Sequence, residues 1–181
     1  MRQISPHCKK LTAVLREFTS NFPSGNLHIR LLTPIKKYFK EYGCIRYHYL
    51  KKMDINAVRH FQNIFKGAVY TSFSAGTVSV RFCVSNMLTT RQNSLLTDYY
   101  FTGILICGDI IAEELMVSIE QSELYSFGDT NQKNCEMVFN LPVLKPWLLL
   151  LKIACFEGNQ QAVNPKNYAM RIIATGYGYN Q

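Results

Sequence analysis

The spacing of hydrophobic residues differs between the two halves of this chain. Residues 9–20 repeat apolar side chains every three or four positions, which predicts an amphipathic helix. Residues 27–32 alternate between the two faces of an extended backbone, which is typical of a strand. The Thr33-Pro34 step then predicts the start of a helix over residues 35–42, because proline is tolerated in a first helical turn.

Two further elements complete the pattern of the first half. Residues 44–50 alternate again and predict a strand. Asp54 is a good N-cap residue, and the apolar spacing behind it predicts a helix over residues 55–66 that ends before Gly67. Helices and strands are therefore expected to be mixed up to this glycine.

Strand patterns dominate the rest of the chain. Residues 68–73 and 77–85 flank a turn and predict a hairpin. Residues 99–107 and 110–120 predict a second hairpin around Gly108, although the spacing in 110–120 also fits a helix face. Pro142 and Pro146 make residues 141–146 an extended connector rather than a central strand. The remaining predicted segments are strands over 135–140, 147–156 and 168–175, polar loops over 87–98 and 122–134, and a connector over 157–167.

These elements predict the α+β class: a largely antiparallel β-sheet or sandwich with two or three amphipathic helices in the N-terminal half. A single domain over residues 1–181 is expected, with residues 1–8 as a flexible arm and residues 176–181 as a flexible tail. The hydrophobic content of 48% and the charged content of 18% indicate a folded core rather than disorder.

The cysteines and histidines carry no sign of a disulfide scaffold or a metal site. The six cysteines form no CxxC pair, which favours reduced thiols that pack as small hydrophobic groups. Cys44 and His48 would be about 13 Å apart on a strand, too far to share one metal ion. We therefore expect no metal and no other cofactor. The N-terminus has no apolar leader and no apolar run reaches membrane length, so we expect a cytoplasmic protein.

Charge is distributed unevenly along the chain. Residues 1–91 contain 15 Lys and Arg against 3 Asp and Glu, a net charge of +12, and residues 92–181 contain 5 against 9, a net charge of −4. A strongly basic half predicts binding to a polyanion such as RNA, a nucleocapsid or an anionic lipid surface. The candidate polyanion-binding residues are Arg30, Lys36, Lys37, Lys40, Arg46, Lys51, Lys52, Arg59 and Lys66.

Aromatic side chains are interleaved with these cations, and they have two interpretations. Such rings could stack nucleobases, as in proteins that bind single strands. Alternation of Ile45, Tyr47 and Tyr49 is also what a half-buried strand requires. The sequence therefore favours an electrostatic interaction and leaves base stacking as the weaker hypothesis. The aromatic residues concerned are Tyr38, Phe39, Tyr42, Tyr47 and Tyr49.

The acidic residues of the second half are the natural counterpart of the basic half. Contact between unlike surfaces of two copies is heterologous, so it can build sheets, helices or filaments. A metal-dependent nuclease is a weaker interpretation of the same carboxylates, since acidic runs are usually solvent-facing. The candidate self-association residues are Asp109, Glu113, Glu114, Glu120 and Glu123.

In its size, basic charge and order of elements, the chain resembles the matrix proteins of rhabdoviruses, especially the short forms of plant-infecting members. The resemblance implies a non-enzymatic virion protein that binds the viral nucleocapsid and self-associates in a lattice. It also implies peripheral contact with the anionic inner membrane leaflet and with a viral glycoprotein tail, in the virion and the host cytoplasm. The sequence departs from the animal-virus pattern, because residues 1–10 carry only three cations and no budding motif is present.

Two other classes of function remain open at the level of the sequence. A small RNA-binding module, such as a viral silencing suppressor, would form a discrete dimer. A jelly-roll capsid subunit would form closed shells. An enzyme is not expected, because the sequence has neither a G-x-S-x-G motif nor a P-loop.

Overall fold

The computed structural model describes residues 4–74, 76–84, 95–108, 115–129, 131–141 and 145–178. These residues form two α-helices, α1 (Ile4–Glu17) and α2 (Leu27–Tyr42), followed by nine strands. Single 3-10 turns lie at His48–Leu50, Phe61–Asn63 and Pro165–Asn167. The strands are β1 (Val69–Ser74), β2 (Thr77–Val84), β3 (Asp98–Cys107), β4 (Met116–Gln121), β5 (Tyr125–Ser126), β6 (Lys133–Asn140), β7 (Pro146–Glu157), β8 (Gln160–Gln161) and β9 (Tyr168–Tyr177).

The strands form two antiparallel sheets. The larger sheet has six strands and curls into a half-barrel. Its main order runs from β4 through β3 and β7 to β9, with the short β5 beside β3 and the short β8 beside β7. The smaller sheet has the order β1-β2-β6. The predicted α+β class is therefore confirmed, with both helices in the N-terminal half.

The larger sheet is the middle of three layers. One of its faces packs against α1 and α2, and its other face packs against the smaller sheet. Alternation along β3 sends Ile104 and Ile106 to the helices and Phe101 and Leu105 to the smaller sheet. Because β7 is covered on both faces, it has the continuous apolar run of a buried strand rather than an alternating pattern.

A β-bulge in β9 changes which face of the sheet the following side chains point to. Leu149 of β7 pairs with Ala174, but the next residue, Leu150, pairs with Ile172, so β9 holds one extra residue. Ile172 therefore faces the helices while Ala174 faces the smaller sheet, although their numbers have the same parity. The bulge lets the end of β9 keep an apolar residue towards the smaller sheet.

The predicted strand over residues 27–32 is wrong, because these residues are the first turns of α2. Leu27, Leu31 and Ile35 lie four residues apart and are all fully buried, which is the stripe of a helix. Ile29, which a strand would place beside Leu27 and Leu31, is 54% exposed. The helix begins at the N-cap Asn26, and Pro34 lies in its interior rather than in its first turn.

The predicted strand over residues 44–50 is also wrong in its backbone, and its alternation of burial holds only as far as His48, since Tyr49 is half-buried and Leu50 is fully buried. Ile45 and Tyr47 are buried while Arg46 and His48 are exposed. The segment pairs with no described strand and ends in a 3-10 turn. Alternating burial therefore arises here from packing on the helix side of the sheet, without a ladder of hydrogen bonds.

The predicted helix over residues 55–66 is wrong, and only Phe61–Asn63 forms a helical turn. Ile55 packs in the core on the helix side of the large sheet, whereas Phe61 and Phe65 pack in the core on the opposite side. A chain that passes from one face of a sheet to the other must run around its edge. The segment wraps around β9, where Asp54 forms an isolated bridge with Arg171.

Most predicted strands of the second half are confirmed. The hairpin of β1 and β2 and the strands β6, β7 and β9 lie where the alternation placed them. The predicted strand over 110–120 is confirmed only from Met116, which pairs with Cys107, and the predicted loop over 122–134 contains the short strand β5. Residues 110–114 lie outside the described residues, as does most of the predicted loop over 87–98. The predicted connector over 141–146 ends in β7, since Pro146 is the first residue of that strand, where a missing N–H is tolerated.

The two ends of the chain differ from the expected arm and tail. Residues 4–8 belong to α1, and Ile4, His7 and Cys8 are buried. Gly176 and Tyr177 belong to β9. Residues 1–3 and 179–181 lie outside the described part of the chain.

Candidate polyanion-binding surface

The candidate cations of α2 do not all have the same environment. The guanidinium of Arg30 donates hydrogen bonds to the carbonyl oxygens of Ser24, Asp54 and Ile55. It therefore holds the loop around Asp54 against the helix. Lys37 and Lys40 lie in the last two turns of α2 and are exposed, whereas Lys36 is half-buried.

The other candidate cations are spread over the segment that follows α2. Lys51 and Lys52 are exposed in a turn, where the backbone N–H of Lys52 donates to Ile172 O at 2.8 Å. Arg59 Nη2 donates to Asn63 O at 3.0 Å. Lys66 is exposed just before β1. The cation–π contacts near the end of α2 are those of Lys37 with Tyr49 and of Arg46 with Tyr177.

Three parts of the chain converge at the C-terminal end of α2, and together they form what we call the tyrosine–cation surface. It combines the last turns of α2, the segment that ends in the 3-10 turn His48–Leu50, and the end of β9. Two of its cations, Lys37 and Arg46, lie against tyrosine rings that come from other parts of the chain. Its members are Lys37, Tyr38, Lys40, Tyr42, Arg46, His48, Tyr49 and Tyr177.

Tyr38 is the centre of the ring contacts on this surface. Its ring centroid lies 4.5 Å from that of Tyr42 and 5.1 Å from that of Tyr49, the second pair being edge-to-face. The His48 ring lies 6.3 Å away. Lys37 Nζ lies 5.5 Å from the centroid of Tyr49, within the range of a cation–π interaction. Tyr42 remains 60% exposed, so the surface offers an uncovered aromatic ring.

The charge of the tyrosine–cation surface is positive. Its one neighbouring carboxylate, Glu41, accepts a hydrogen bond from the Tyr49 hydroxyl, which raises the pKa of Tyr49. In the described ranges, the ion pairs with carboxylates involve His60, Arg81, Lys133 and Arg171. Lys37, Lys40 and Arg46 are absent from these pairs, so their charges face solvent.

A small cavity opens beside Arg46. Its volume is about 240 Å³, and it is lined by Tyr38, Arg46, Tyr47, His48, Thr175, Gly176 and Tyr177. The guanidinium carbon of Arg46 lies 4.5 Å from the centroid of the Tyr177 ring. Gly176 is required there because a Cβ at this position would approach Trp147 Cζ2 to 2.2 Å. The cavity therefore joins a cation and aromatic rings at the end of the central sheet.

Two of the interleaved aromatic residues are not available to a ligand. Tyr47 is fully buried, and its hydroxyl lies 2.7 Å from His7 Nε2 and donates to Gly108 O at 3.3 Å. Phe39 packs against the core on the helix side of the sheet. Tyr177, by contrast, was expected in a loose tail, and no local pattern indicates its contact with Arg46, 131 positions earlier in the chain.

The candidate self-association residues are only partly within the described chain. Asp109, Glu113 and Glu114 lie outside it. Glu120 is exposed on β4, and Glu123 Oε1 lies 3.8 Å from Lys133 Nζ. Within the described residues β4 pairs only with β3, and all six of its residues are exposed. Its outer edge is therefore a free edge as far as the described chain extends.

The thiols are consistent with the packing role expected for them. None of the six cysteines forms a disulfide, and Cys8, Cys107, Cys135 and Cys155 are buried. Burial raises the pKa of Cys8 to about 11 and that of Cys107 and Cys155 to about 12. These three thiols are therefore protonated at neutral pH and poor nucleophiles. Cys44 is exposed and Cys83 is half-buried.

Within the described ranges, no group of three or more His, Cys, Asp or Glu side chains is arranged to hold a metal ion. No helix there has the length and apolar character needed to cross a membrane. Comparison of the chain with models of protein families, with curated proteins and with solved structures gives no match.

Proposed function

We propose that this chain is a non-enzymatic structural protein of matrix type that binds viral RNA or nucleocapsid through the tyrosine–cation surface. The observation that supports this best is the contact of Lys37 and Arg46 with tyrosine rings in a group drawn from three separate segments, with the exposed Lys40 on the same last turns of α2. Their charges are not paired with described carboxylates, so they can neutralise phosphates at little cost. The viral context comes from the resemblance in size, charge and order of elements.

Single-stranded RNA fits this surface better than an anionic membrane. Phosphates and lipid headgroups both attract exposed lysines, but an anionic headgroup has no flat ring that could stack on a tyrosine. A nucleobase gains a stacking partner, because every base has a flat π face. Contact with the membrane leaflet and with a glycoprotein tail is a further element of the matrix-type proposal, and it rests on the resemblance.

The test compares two double variants that change the charge equally. Lys37→Glu with Lys40→Glu should weaken binding to a fluorescent single-stranded RNA at least about tenfold and lower the salt dependence by about two ion contacts. Lys9→Glu with Lys166→Glu should change affinity less than about threefold, because these exposed lysines lie outside the surface and outside the candidate polyanion-binding residues. Fluorescence anisotropy at several salt concentrations measures both quantities.

Equal losses in the two double variants would contradict a specific surface, and no loss in either would contradict polyanion binding through α2. The same proteins are also tested on vesicles that contain phosphatidylserine. Salt-sensitive binding to these vesicles without binding to RNA would overturn RNA as the ligand.

We propose, as part of the same function, that copies of the chain associate through the open edge of β4. An exposed strand edge is a template for pairing with another strand. Pairing with the same edge of a second copy is isologous and closes a dimer, so this contact would supply the dimeric unit of a lattice whose other contacts are heterologous. Ile119 at the middle of β4 is 54% exposed, next to the exposed Val117. The apolar side chains would be buried when two edges pair, and Glu120 would lie at the margin of the contact.

Sedimentation velocity over a range of concentrations tests this association. Ile119→Lys should shift the protein towards the monomer, because a lysine blocks edge pairing. Val163→Lys is the matched control, since Val163 is 88% exposed and lies outside the strands. A wild-type protein that remains monomeric at every concentration would overturn the proposal, as would equal association of both variants.

A further inference from the structure

The cavity beside Arg46 has the size and chemistry of a site for one small polar aromatic group. Its volume of about 240 Å³ is below the ~300 Å³ at which sites for drug-sized ligands begin. Tyr38 and Tyr177 provide rings on its walls, and His48 adds an imidazole. A planar ring system fits such walls better than a flexible aliphatic chain does, because flat faces stack.

Arg46 gives the cavity an anion-binding edge. Its guanidinium lies over the Tyr177 ring at 4.5 Å, so the ring holds one face of the guanidinium. Stacking leaves the N–H groups at the edge of the guanidinium plane, where they can bind a phosphate with two parallel hydrogen bonds. Arg46 is exposed and has no ion pair with a carboxylate in the described chain.

The wall of the cavity also contains an unpaired polar atom. Thr175 Oγ1 is buried and has no hydrogen-bond partner among the described residues. Thr175 precedes Gly176, whose missing side chain lets the end of β9 lie directly against Trp147. The cavity thus combines aromatic faces with a cationic edge, which are the groups that recognise a base and its phosphate.

We propose that this cavity is a mononucleotide site, which takes one nucleotide of the strand held by the tyrosine–cation surface. The inference rests on the proposed function, since the lysines of α2 bring the strand to the cavity. The nucleobase lies against the rings of Tyr38 and Tyr177, and its phosphate binds the N–H edge of Arg46. The site therefore requires a base, whereas the lysines require only the backbone charge.

An abasic oligonucleotide separates these two requirements. We compare an intact single-stranded RNA with a strand of the same length and charge that lacks its bases. Tyr177→Leu should weaken binding of the intact strand about tenfold and leave binding of the abasic strand unchanged, because it removes a stacking ring and no charge. Arg46→Lys should weaken binding of both strands by a smaller factor, since it keeps the charge but loses the planar edge that binds the phosphate.

Tyr70→Leu is the control for the loss of an exposed tyrosine. Tyr70 lies on β1 of the smaller sheet, outside the cavity, and this variant should bind both strands as the wild type does. Far-UV circular dichroism and thermal unfolding establish that each variant is folded. Displacement of the intact strand by excess nucleoside monophosphate would support the site and extend its ligands to free nucleotides.

The results distinguish a failure of the inference from a failure of the proposed function. If Tyr177→Leu weakens the binding of neither strand, or of both strands equally, the mononucleotide site is overturned. Salt-sensitive binding of the strand is not affected by that result. If neither strand binds in a salt-sensitive way, the proposed function fails as well. Equal binding of intact and abasic strands by the wild-type protein also overturns the site.

Discussion

At the scale of single residues, Asp54 shows how a side chain can have a role that its local sequence does not indicate. Its oxygens accept hydrogen bonds at 2.8 Å from Arg171 Nε and Nη2 and at 2.9 Å from the backbone N–H of Phe61. His60 Nδ1 lies 2.9 Å from the same carboxylate. Asp54 is only 8% exposed, so these bonds replace the water it loses on folding.

The environment of Asp54 determines the pKa of its carboxyl. Burial on its own raises this pKa, but the hydrogen bonds from Arg171, Phe61 and His60 together lower it by more. The pKa in the folded protein therefore lies below the ordinary value of 3.8. The interaction with Arg171 anchors the segment that wraps around β9.

Replacement of Asp54 by asparagine should lower the free energy of unfolding by about 3 kcal/mol, because Arg171 is left without its partner in a mostly buried site. Urea denaturation measures the change. Glu136→Gln is the control, since Arg81 and Glu136 form an ion pair in which both side chains are well exposed. It should cost less than about 1 kcal/mol. Equal losses would contradict the structural role of Asp54.

The loss of stability caused by Asp54→Asn should become smaller as the pH falls into the acid range. The folded pKa is lowered, so the stabilisation by Asp54 is fully present above the unfolded value of 3.8 and is lost as the pH falls through the folded pKa. The difference in free energy of unfolding between wild type and variant should therefore be constant near neutral pH and become smaller in acid. A difference that grows in acid would contradict this sign.

At the scale of elements, α2 shows the competition between two periodicities. The segment before Pro34 fits both alternation and a helical stripe, and the helix forms because the spacing of four buries Leu27, Leu31 and Ile35 on α1 and the large sheet. The helix ends at Gly43, whose φ of 69° is left-handed and whose N–H donates to Phe39 O. Pro34 can donate no hydrogen bond inside this helix.

Pro34→Ala should raise the free energy of unfolding by about 1–2 kcal/mol, because an interior helical hydrogen bond is gained, although the unfolded chain also gains some freedom. Gly43→Ala should lower it by about 1 kcal/mol, since alanine resists a positive φ. Thermal and urea unfolding followed by far-UV circular dichroism measures both changes. Destabilisation by Pro34→Ala would contradict the placement of this proline in a helix interior.

At the scale of the whole molecule, the large sheet belongs to both hydrophobic cores. Its residues face the helices on one side and the smaller sheet on the other, so neither core can be exposed without exposing the sheet. The charges have a different arrangement. Lys37, Lys40 and Arg46 lie near the ends of α2 and β9. The free edge of β4 lies at the opposite edge of the same sheet.

Because the two cores share one sheet, the protein should unfold in one transition. Trp147, the one tryptophan of the chain, lies on β7 between the two cores and reports on the sheet by fluorescence. Far-UV circular dichroism at 222 nm reports mainly on α1 and α2. The two signals should have the same urea midpoint within error. Separate midpoints would show that the helices and the sheets unfold independently.

The part of the candidate site that is local in sequence could be predicted. Lys37 and Lys40 are exposed cations on a helix, and the interleaved tyrosines signalled an aromatic surface. The position of Tyr177 beside Arg46 and the internal role of Arg30 could not be predicted. Each depends on a contact with a segment that no periodicity connects to it, namely Arg46 for Tyr177 and the Asp54 loop for Arg30.

By itself, the sequence determined the strands of the second half, the amphipathic face of α1 and the imbalance of charge, because each depends on spacing or composition within a short stretch. Tertiary structure decided between helix and extended backbone where the spacing of apolar residues did not, as in residues 27–32 and 55–66. Burial against a particular sheet face is worth more than local propensity. It also decided which cations share a surface, because that depends on how distant segments meet around one sheet.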